Sequence, residues 1–273
     1  MNARLRILAA ILAIAVLAYG GTRLYRDSTH LLKIAVVTPK MNARHAIAPS
    51  LGTRVYRLMH RPVSHARSGR PKLIALTFDD GPYPIFTPLL LGELRELHVR
   101  ATFFLIGRDA HQWPGLARRI EADGNEVADH TYSHPDLDME SPQTVRGEIL
   151  KGGDVLWSLV HDPGVRTLFR PPHGRYTLTT IEVAQALGYH VILWTDDAGD
   201  WRTVTPATLE RHLELHATAP EIALLHSGKL PTIEMLPVVV AQFRRAGYRF
   251  VTVSQLLARV PVADINHPEK HPV

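Results

Sequence analysis

Two acids stand side by side in the stretch LIALTFDDGPYP, residues 73–84. Asp79 and Asp80 end an apolar run, and Gly81-Pro82 turn the chain directly after them. Like charges that close resist ionising together, so their adjacency points to two different jobs. Further along, DHTYSHP places His130 and His134 four residues apart, the spacing that sets two imidazoles on one face of a helical turn. With a carboxylate from another strand end they make a two-histidine, one-carboxylate set. Three protein ligands leave coordination positions open for water and substrate, as catalytic zinc sites do. The chain has no cysteine, so any metal must be held by Asp, Glu or one of the 16 histidines. Arg170 in RPPHG, Asp197 and Asp200 in DDAGDW and His226 in LLH are the other polar residues set against apolar runs. Each has a structural reading when taken singly. The paired acids fit turn chemistry, Arg170 an ion pair, Asp197 or Asp200 a helix N-cap, and His226 a satisfied core histidine. His98, His111, His161, His212 and His216 are read as structural.

The elements that must position these groups are legible from Leu73 onward. Short apolar runs predict strands over 73–78, 101–106, 126–128, 168–169, 190–194, 222–225 and 250–253. Between them, TPLLLGELREL, SPQTVRGEIL, TPATLERHLELH and LPVVVAQFRRAG read as helices, the second opened by Ser-Pro and the last closed by Gly247. Such alternation argues for parallel strands with helices packed outside, as a barrel or as an open doubly wound sheet. Asp79-Asp80, His130, Arg170, Asp197/Asp200 and His226 then fall at five separate C-terminal strand ends, which face one crevice in either architecture. Stability alone gives no reason to load one rim this way.

The charge is divided. The net +5 of the 273 residues combines +12 over residues 1–72 (13 Lys+Arg, one acid) with −7 over the remainder (18 Lys+Arg, 25 Asp+Glu). A nucleic-acid partner has no support once the charge is partitioned. Arg4 and Arg6 precede an uncharged run, residues 7–21, long enough for a signal-peptide core and short of the ~20 residues of a comfortable membrane span. Residues 1–25 are thus expected to be a signal peptide or membrane anchor, 26–70 a basic linker, 71–260 the folded domain and 261–273 a tail. The chain is expected to be exported, either anchored to the membrane through its N-terminal segment or secreted.

In order, TFDDGP, HTYSH, RPPHG, DDAGDW and LLH resemble the five motifs of the NodB-homology polysaccharide deacetylases, carbohydrate esterase family four. ATFFLIG, SPQTVRGEI, ALGYHVILW and RRAGYRFVTVSQLL also read like that family, and the resemblance covers roughly residues 71–258. It implies an α/β fold, a distorted (β/α) barrel of about seven parallel strands, here preceded by an N-terminal apolar helix and the basic linker. It implies removal of N- or O-acetyl groups from an acetylated polysaccharide with a divalent metal, usually Zn2+. By resemblance, Asp80, His130 and His134 would hold the metal and Asp79 would be the general base, held ionised by Arg170. His226 would be the general acid, its pKa raised by Asp200. The His173 N–H would meet the developing oxyanion together with the metal, and Trp201 and Leu224 would line the pocket for the acetyl methyl. The expected substrate is a GlcNAc-type glycan such as peptidoglycan or chitin-like oligomers, with no protein partner. The rival readings are a same-fold hydrolase of another amide or an O-acetyl ester, and a catalytically silent glycan-binding module. Two departures bear on them: Ser227 stands where the family commonly has Asp, and His173 where an aromatic such as Tyr is often found.

Overall fold

In the computed structural model, the described residues are 72–260 together with the short strand at 55–56. The expected leader, most of the basic linker and the C-terminal tail lie outside them. No helix among the described residues is long and apolar enough to cross a membrane.

Nine strands form one sheet: β1 (Val55–Tyr56), β2 (Leu73–Asp79), β3 (Thr102–Leu105), β4 (Glu126–Asp129), β5 (Leu168–Phe169), β6 (His190–Ile192), β7 (Asp196–Asp197), β8 (Glu221–His226) and β9 (Arg249–Phe250). The order is β1-β6-β5-β4-β3-β2-β8-β7, with β9 paired to the start of β2, and every pairing is parallel. The strands curl into a half-barrel, the α/β architecture expected. The helices are α1 (Phe86–Glu96), α2 (Gly107–Gln112), α3 (Pro114–Ala122), α4 (Pro142–Leu159), α5 (Gly164–Thr167), α6 (Leu178–Ala186), α7 (Pro206–His216), α8 (Leu230–Arg245) and α9 (Val253–Arg259). Three of the expected helices begin where side chains satisfy their free N–H groups or proline needs none. Ser141 accepts from Thr144 N at the start of α4, Thr205 forms a reciprocal box with Thr208 on α7, and Leu230-Pro231 opens α8. Gly247, at φ 85°, follows α8 in the left-handed conformation expected of it.

Strand parity decides what meets what. Successive residues of a strand face opposite sides, and β2 is buried on both. Ile74, Leu76 and Phe78 join Phe103, Leu105, Val127, Ala223 and Leu225 in the larger core, shared with α1 and α8. Leu73 and Ala75 join Phe104, Ala128, Leu168, Ile192 and Ile222 in a second core on the other face. Continued by two residues, that second face turns polar: Thr77 and Asp79 on β2, His130 after β4, Arg170 after β5, and His226 at the end of β8. An apolar floor thus passes into a polar rim on the same face.

The sequence reading is corrected at several ends. Of the two acids only Asp80 follows β2; Asp79 is its last residue, paired in register with His226. The strand expected to reach Trp194 stops at Ile192, because the carbonyls of Ile192 and Leu193 are taken by the Arg170 guanidinium. The strand expected over 250–253 stops at Phe250, because Thr252 turns to cap α9. β7 was not anticipated, since two acids carry no apolar signal.

Candidate active site

Neighbouring residues on a strand should point apart, yet both acids of TFDDGP face one point. The cause is Asp80, whose left-handed backbone (φ 70°) breaks the alternation as the chain turns through Gly81. The result places Asp79 Oδ2 at 3.7 Å and Asp80 Oδ1 at 3.9 Å from His130 Nε2. Ser227 pins this corner. Its backbone N–H donates to Asp79 O at 3.0 Å, and its hydroxyl lies 3.1 Å from the carbonyls of both acids. Ser227 therefore does not leave a gap. The approach is close enough that a Cβ at Gly81 would sit 2.9 Å from the Ser227 hydroxyl.

The acids differ in their partners. Arg170, fully buried, donates from Nη1 to Asp79 Oδ1 at 2.6 Å and to Thr77 Oγ1 at 2.8 Å. Its Nε and Nη2 reach the carbonyls of Ile192 and Leu193 at 3.1 Å, and its plane stacks on Phe104, 4.0 Å from the ring centroid. Asp80 has no Arg or Lys partner among the described residues; its ion-pair neighbours are His130 and His134 Nε2, the latter at 3.3 Å.

His130 and His134 do not lie on a helical turn as their spacing suggested. Residues 130–134 form a tight loop with Thr131 (φ 67°) and His134 (φ 64°) left-handed, the latter N–H donating to Thr131 Oγ1. Ser133 ties the loop to Glu148 of α4 through backbone and hydroxyl. The two rings end 4.9 Å apart. Burial, the largest influence on each, holds both imidazoles down to about 4, so both are neutral at physiological pH. His130 Nδ1 lies 2.7 Å from Arg170 O, which fixes Nδ1–H as donor and leaves an Nε2 lone pair facing the acids. Burial also pushes Asp80 up, in spite of His130 and His226. Two neutral imidazole nitrogens and a carboxylate without a fixed counter-charge thus converge, their donor atoms within 4.8 Å of one another. That donor set and protonation state fit a divalent cation.

His226 is held differently. Its Nδ1 lies 2.6 Å from Asp200 Oδ1, its backbone N–H donates to Asp200 Oδ2 at 2.8 Å, and Thr232 of α8 donates to that same oxygen at 2.6 Å. Burial works against protonation. The Asp200 hydrogen bond and charge, helped by Asp79 and Asp80, outweigh it and raise the ring to about 9. Asp200 is therefore no helix cap; it orients and charges an imidazole.

The outlying expected residues fall around this centre. His173, left-handed at φ 55°, stacks edge-on against His134 at 4.6 Å and places Nδ1 2.7 Å from Asp136 Oδ1. Arg175 grips the other Asp136 oxygen. Leu224 is buried on the face of β8 that carries His226, while Trp201 is half-exposed beside Asp200. Asp197, left open between capping and support of the site, accepts from Gly199 N and Trp201 Nε1 and caps no helix. Thr77, Asp136 and Thr232 were missed by the sequence reading, and only their contacts in the fold reveal them. Among the described residues, four of the five non-glycine residues with positive φ are Asp80, Thr131, His134 and His173.

Comparison with known proteins bears on the family and the fold. A family model described as polysaccharide deacetylase matches residues 66–192. The chain is 35% identical over 191 residues to a peptidoglycan-N-acetylglucosamine deacetylase of Bacillus cereus, covering 68% of this chain and 88% of the relative. It is 34% identical over 158 residues to a chitooligosaccharide deacetylase of Azorhizobium caulinodans, covering 58% and 75%. A solved peptidoglycan N-acetylglucosamine deacetylase bound to 4-naphthalen-1-yl-N-oxidanyl-benzamide superposes with a TM-score of 0.67 at 30% identity, over 70% of this chain and 90% of that one. A family 4 carbohydrate esterase from Streptomyces lividans, in complex with acetate, gives 0.64 at 27% identity, over 71% and 98%. Motif order, half-barrel and relatives all converge, and the chain belongs to the polysaccharide deacetylases, the NodB-homology carbohydrate esterases of family four.

Proposed function

We propose that this enzyme is an exported, metal-dependent N-deacetylase of a GlcNAc-type envelope or extracellular glycan, peptidoglycan or chitin-like oligomers, releasing acetate and a free amine. The observation that carries the reading is the pairing of an arginine-held carboxylate with a carboxylate-held imidazole on adjacent strands, Asp79 and His226. Asp80, His130 and His134 would hold the cation, for which two imidazoles and a carboxylate favour Zn2+. When bound there, the cation supplies Lewis-acid polarisation of the acetyl carbonyl.

This chain's own residues carry the protons. Asp79 takes a proton from the attacking water as its oxygen adds to the acyl carbon, while Arg170 holds the carboxylate in place. The backbone N–H of His173 donates to the developing oxyanion. His226, charged at neutral pH, then gives its Nε2 proton to the amide nitrogen as the C–N bond breaks. An amine is a poor leaving group unless protonated, so an imidazole raised to about 9 favours the N-acetyl over the O-acetyl substrate. Leu224 and Trp201 form the wall against the acetyl methyl. Relatives named as peptidoglycan and chitooligosaccharide deacetylases support the substrate class. Residues 1–25 would take the chain to the compartment where such polymers lie. The test is acetate release by the full chain with zinc, from N-acetylglucosamine oligomers and from peptidoglycan. Turnover of either is expected, and release from neither at any metal loading overturns the proposal.

A further inference from the structure

A second cluster of metal-ligating side chains lies outside this site. Asp196 opens β7 opposite Ala223, whose side chain belongs to the helix-facing core, so Asp196 points away from the catalytic face and toward α7. There it meets His212, with Asp196 Oδ1 at 2.8 Å from His212 Nε2. His216 stands one turn further along α7, at the spacing that stacks two side chains on one helix face, and the two rings lie 4.2 Å apart. His216 Nδ1 is engaged by His212 O at 2.8 Å, which leaves its Nε2 free to bind. One donor atom from each of the three residues lies within 4.8 Å of the others.

An ordinary aspartate–histidine hydrogen bond accounts for only part of this. Asp196 is 4% exposed, yet its second oxygen, Oδ2, is buried with no hydrogen-bond partner among the described residues. A buried carboxylate oxygen left unpaired costs free energy that a cation would recover. Nearby Glu221, fully buried, has no hydrogen-bond partner for Oε1 among the described residues; burial raises its carboxyl most, the Thr218 N–H opposes this, and the Asp196 charge adds to it. His212 is one-third exposed and His216 is exposed, so an ion can reach the cluster and keep water on its remaining positions.

We propose that Asp196, His212 and His216 form a second metal site, selective for a divalent transition-metal ion of the zinc type. Two imidazoles and one carboxylate suit such an ion and not Ca2+ or Mg2+, which take all-oxygen shells. Ligands about 2.0–2.1 Å from a tetrahedral ion stand roughly 3.3 Å apart, so side-chain rotation of about an ångström closes the set. The ion ties the C-terminal turn of α7 to β7. It thereby clamps both ends of the segment 196–216, which carries Asp200 and Trp201. The role is structural, because the cluster sits on the helix-facing side of the sheet.

The test compares the full chain, stripped with a chelator, with its His216→Ala variant. His216 is exposed and packs into no core, so the variant folds. After equilibration with Zn2+ and desalting, the wild type should retain one more equivalent of zinc than His216→Ala. In a His134→Ala background, zinc should raise the melting temperature, and adding His216→Ala should abolish that rise. Equal zinc retention by wild type and His216→Ala, or an undiminished rise in the double variant, overturns the proposal.

Discussion

Asp200→Asn isolates the device that charges the acid. Asparagine keeps the shape of the side chain and an oxygen for the His226 N–H and the Thr232 hydroxyl, both of which now meet Asp200 Oδ2. What it removes is the charge 2.6 Å from His226 Nδ1. Burial is the largest influence on this ring and opposes protonation; the Asp200 bond and charge, helped by Asp79 and Asp80, lift it from 6.5 to about 9. Without the Asp200 charge the largest raising influence is gone and burial remains, so the variant's imidazole falls back toward its ordinary 6.5. An acid must carry its proton to act, so activity is lost on the high-pH side, and the protonated fraction falls tenfold per pH unit above the pKa. Between pH 7 and pH 9 the wild type should lose about half its kcat/KM, whereas Asp200→Asn should lose about 75-fold by the same titration. Acetate release measured across that range gives each enzyme's own ratio, which a general loss of activity does not alter. A variant whose basic limb coincides with that of the wild type would refute the role assigned to Asp200.

The other predictions concern the supports of the site. Asp79→Asn should abolish acetate release while keeping the zinc equivalent of the Asp80, His130 and His134 set, and His134→Ala should lose both activity and that equivalent; metal analysis of each in a His216→Ala background separates them, and an Asp79→Asn lacking that equivalent would contradict the division between the two acids. Arg170→Met leaves Asp79 buried without its cation and should cost about 3–5 kcal/mol in denaturant unfolding. Gly152→Ala on α4 puts a Cβ 2.5 Å from Asp129 Oδ1 and 2.8 Å from the Thr131 carbonyl carbon, behind the loop that carries both histidines. It should destabilise by about 1–3 kcal/mol and weaken zinc binding, read by thermal melting and metal titration. His226 is raised above its unfolded value, so its stabilising contribution is complete below 6.5 and lost as pH rises through about 9. The melting-temperature gap between wild type and Asp200→Asn should shrink over that interval.

Much of the candidate rim was legible because it obeys strand parity. LIALTFD shows one buried strand, and its alternate residues run Leu73, Ala75, Thr77, Asp79 into the site. The same counting places Arg170 after Leu168 and His226 after Leu224. What escaped the sequence was whatever depends on a single backbone rotation or on a contact between distant segments. The spacing of His130 and His134 suggested a helix, whereas two left-handed residues build a loop that brings the rings together. Ser227 looked like a loss by its type and proves to hold the carbonyls of both acids. Thr232 lies 32 residues from the carboxylate that it supports, a separation at which no local pattern operates. The histidines of α7 looked structural because their third partner, Asp196, comes from a strand with no apolar signature.

The left-handed backbone at Asp80, Thr131, His134 and His173 has a consequence for how this protein changes over generations. Each such residue forgoes on the order of 1 kcal/mol that glycine would not. That is a material share of the roughly 5–15 kcal/mol by which a domain is stable. Selection for thermostability alone will therefore favour glycine at Asp80 and His134, stripping two of the candidate ligands while the fold improves, whereas Thr131 and His173 keep hydrogen bonds that glycine would lose. A lineage released from the need for catalysis should drift the same way, and a library sorted by melting temperature will discard the site first. Directed evolution of a hardier deacetylase from this chain has to hold those codons fixed and seek its gains on the helices.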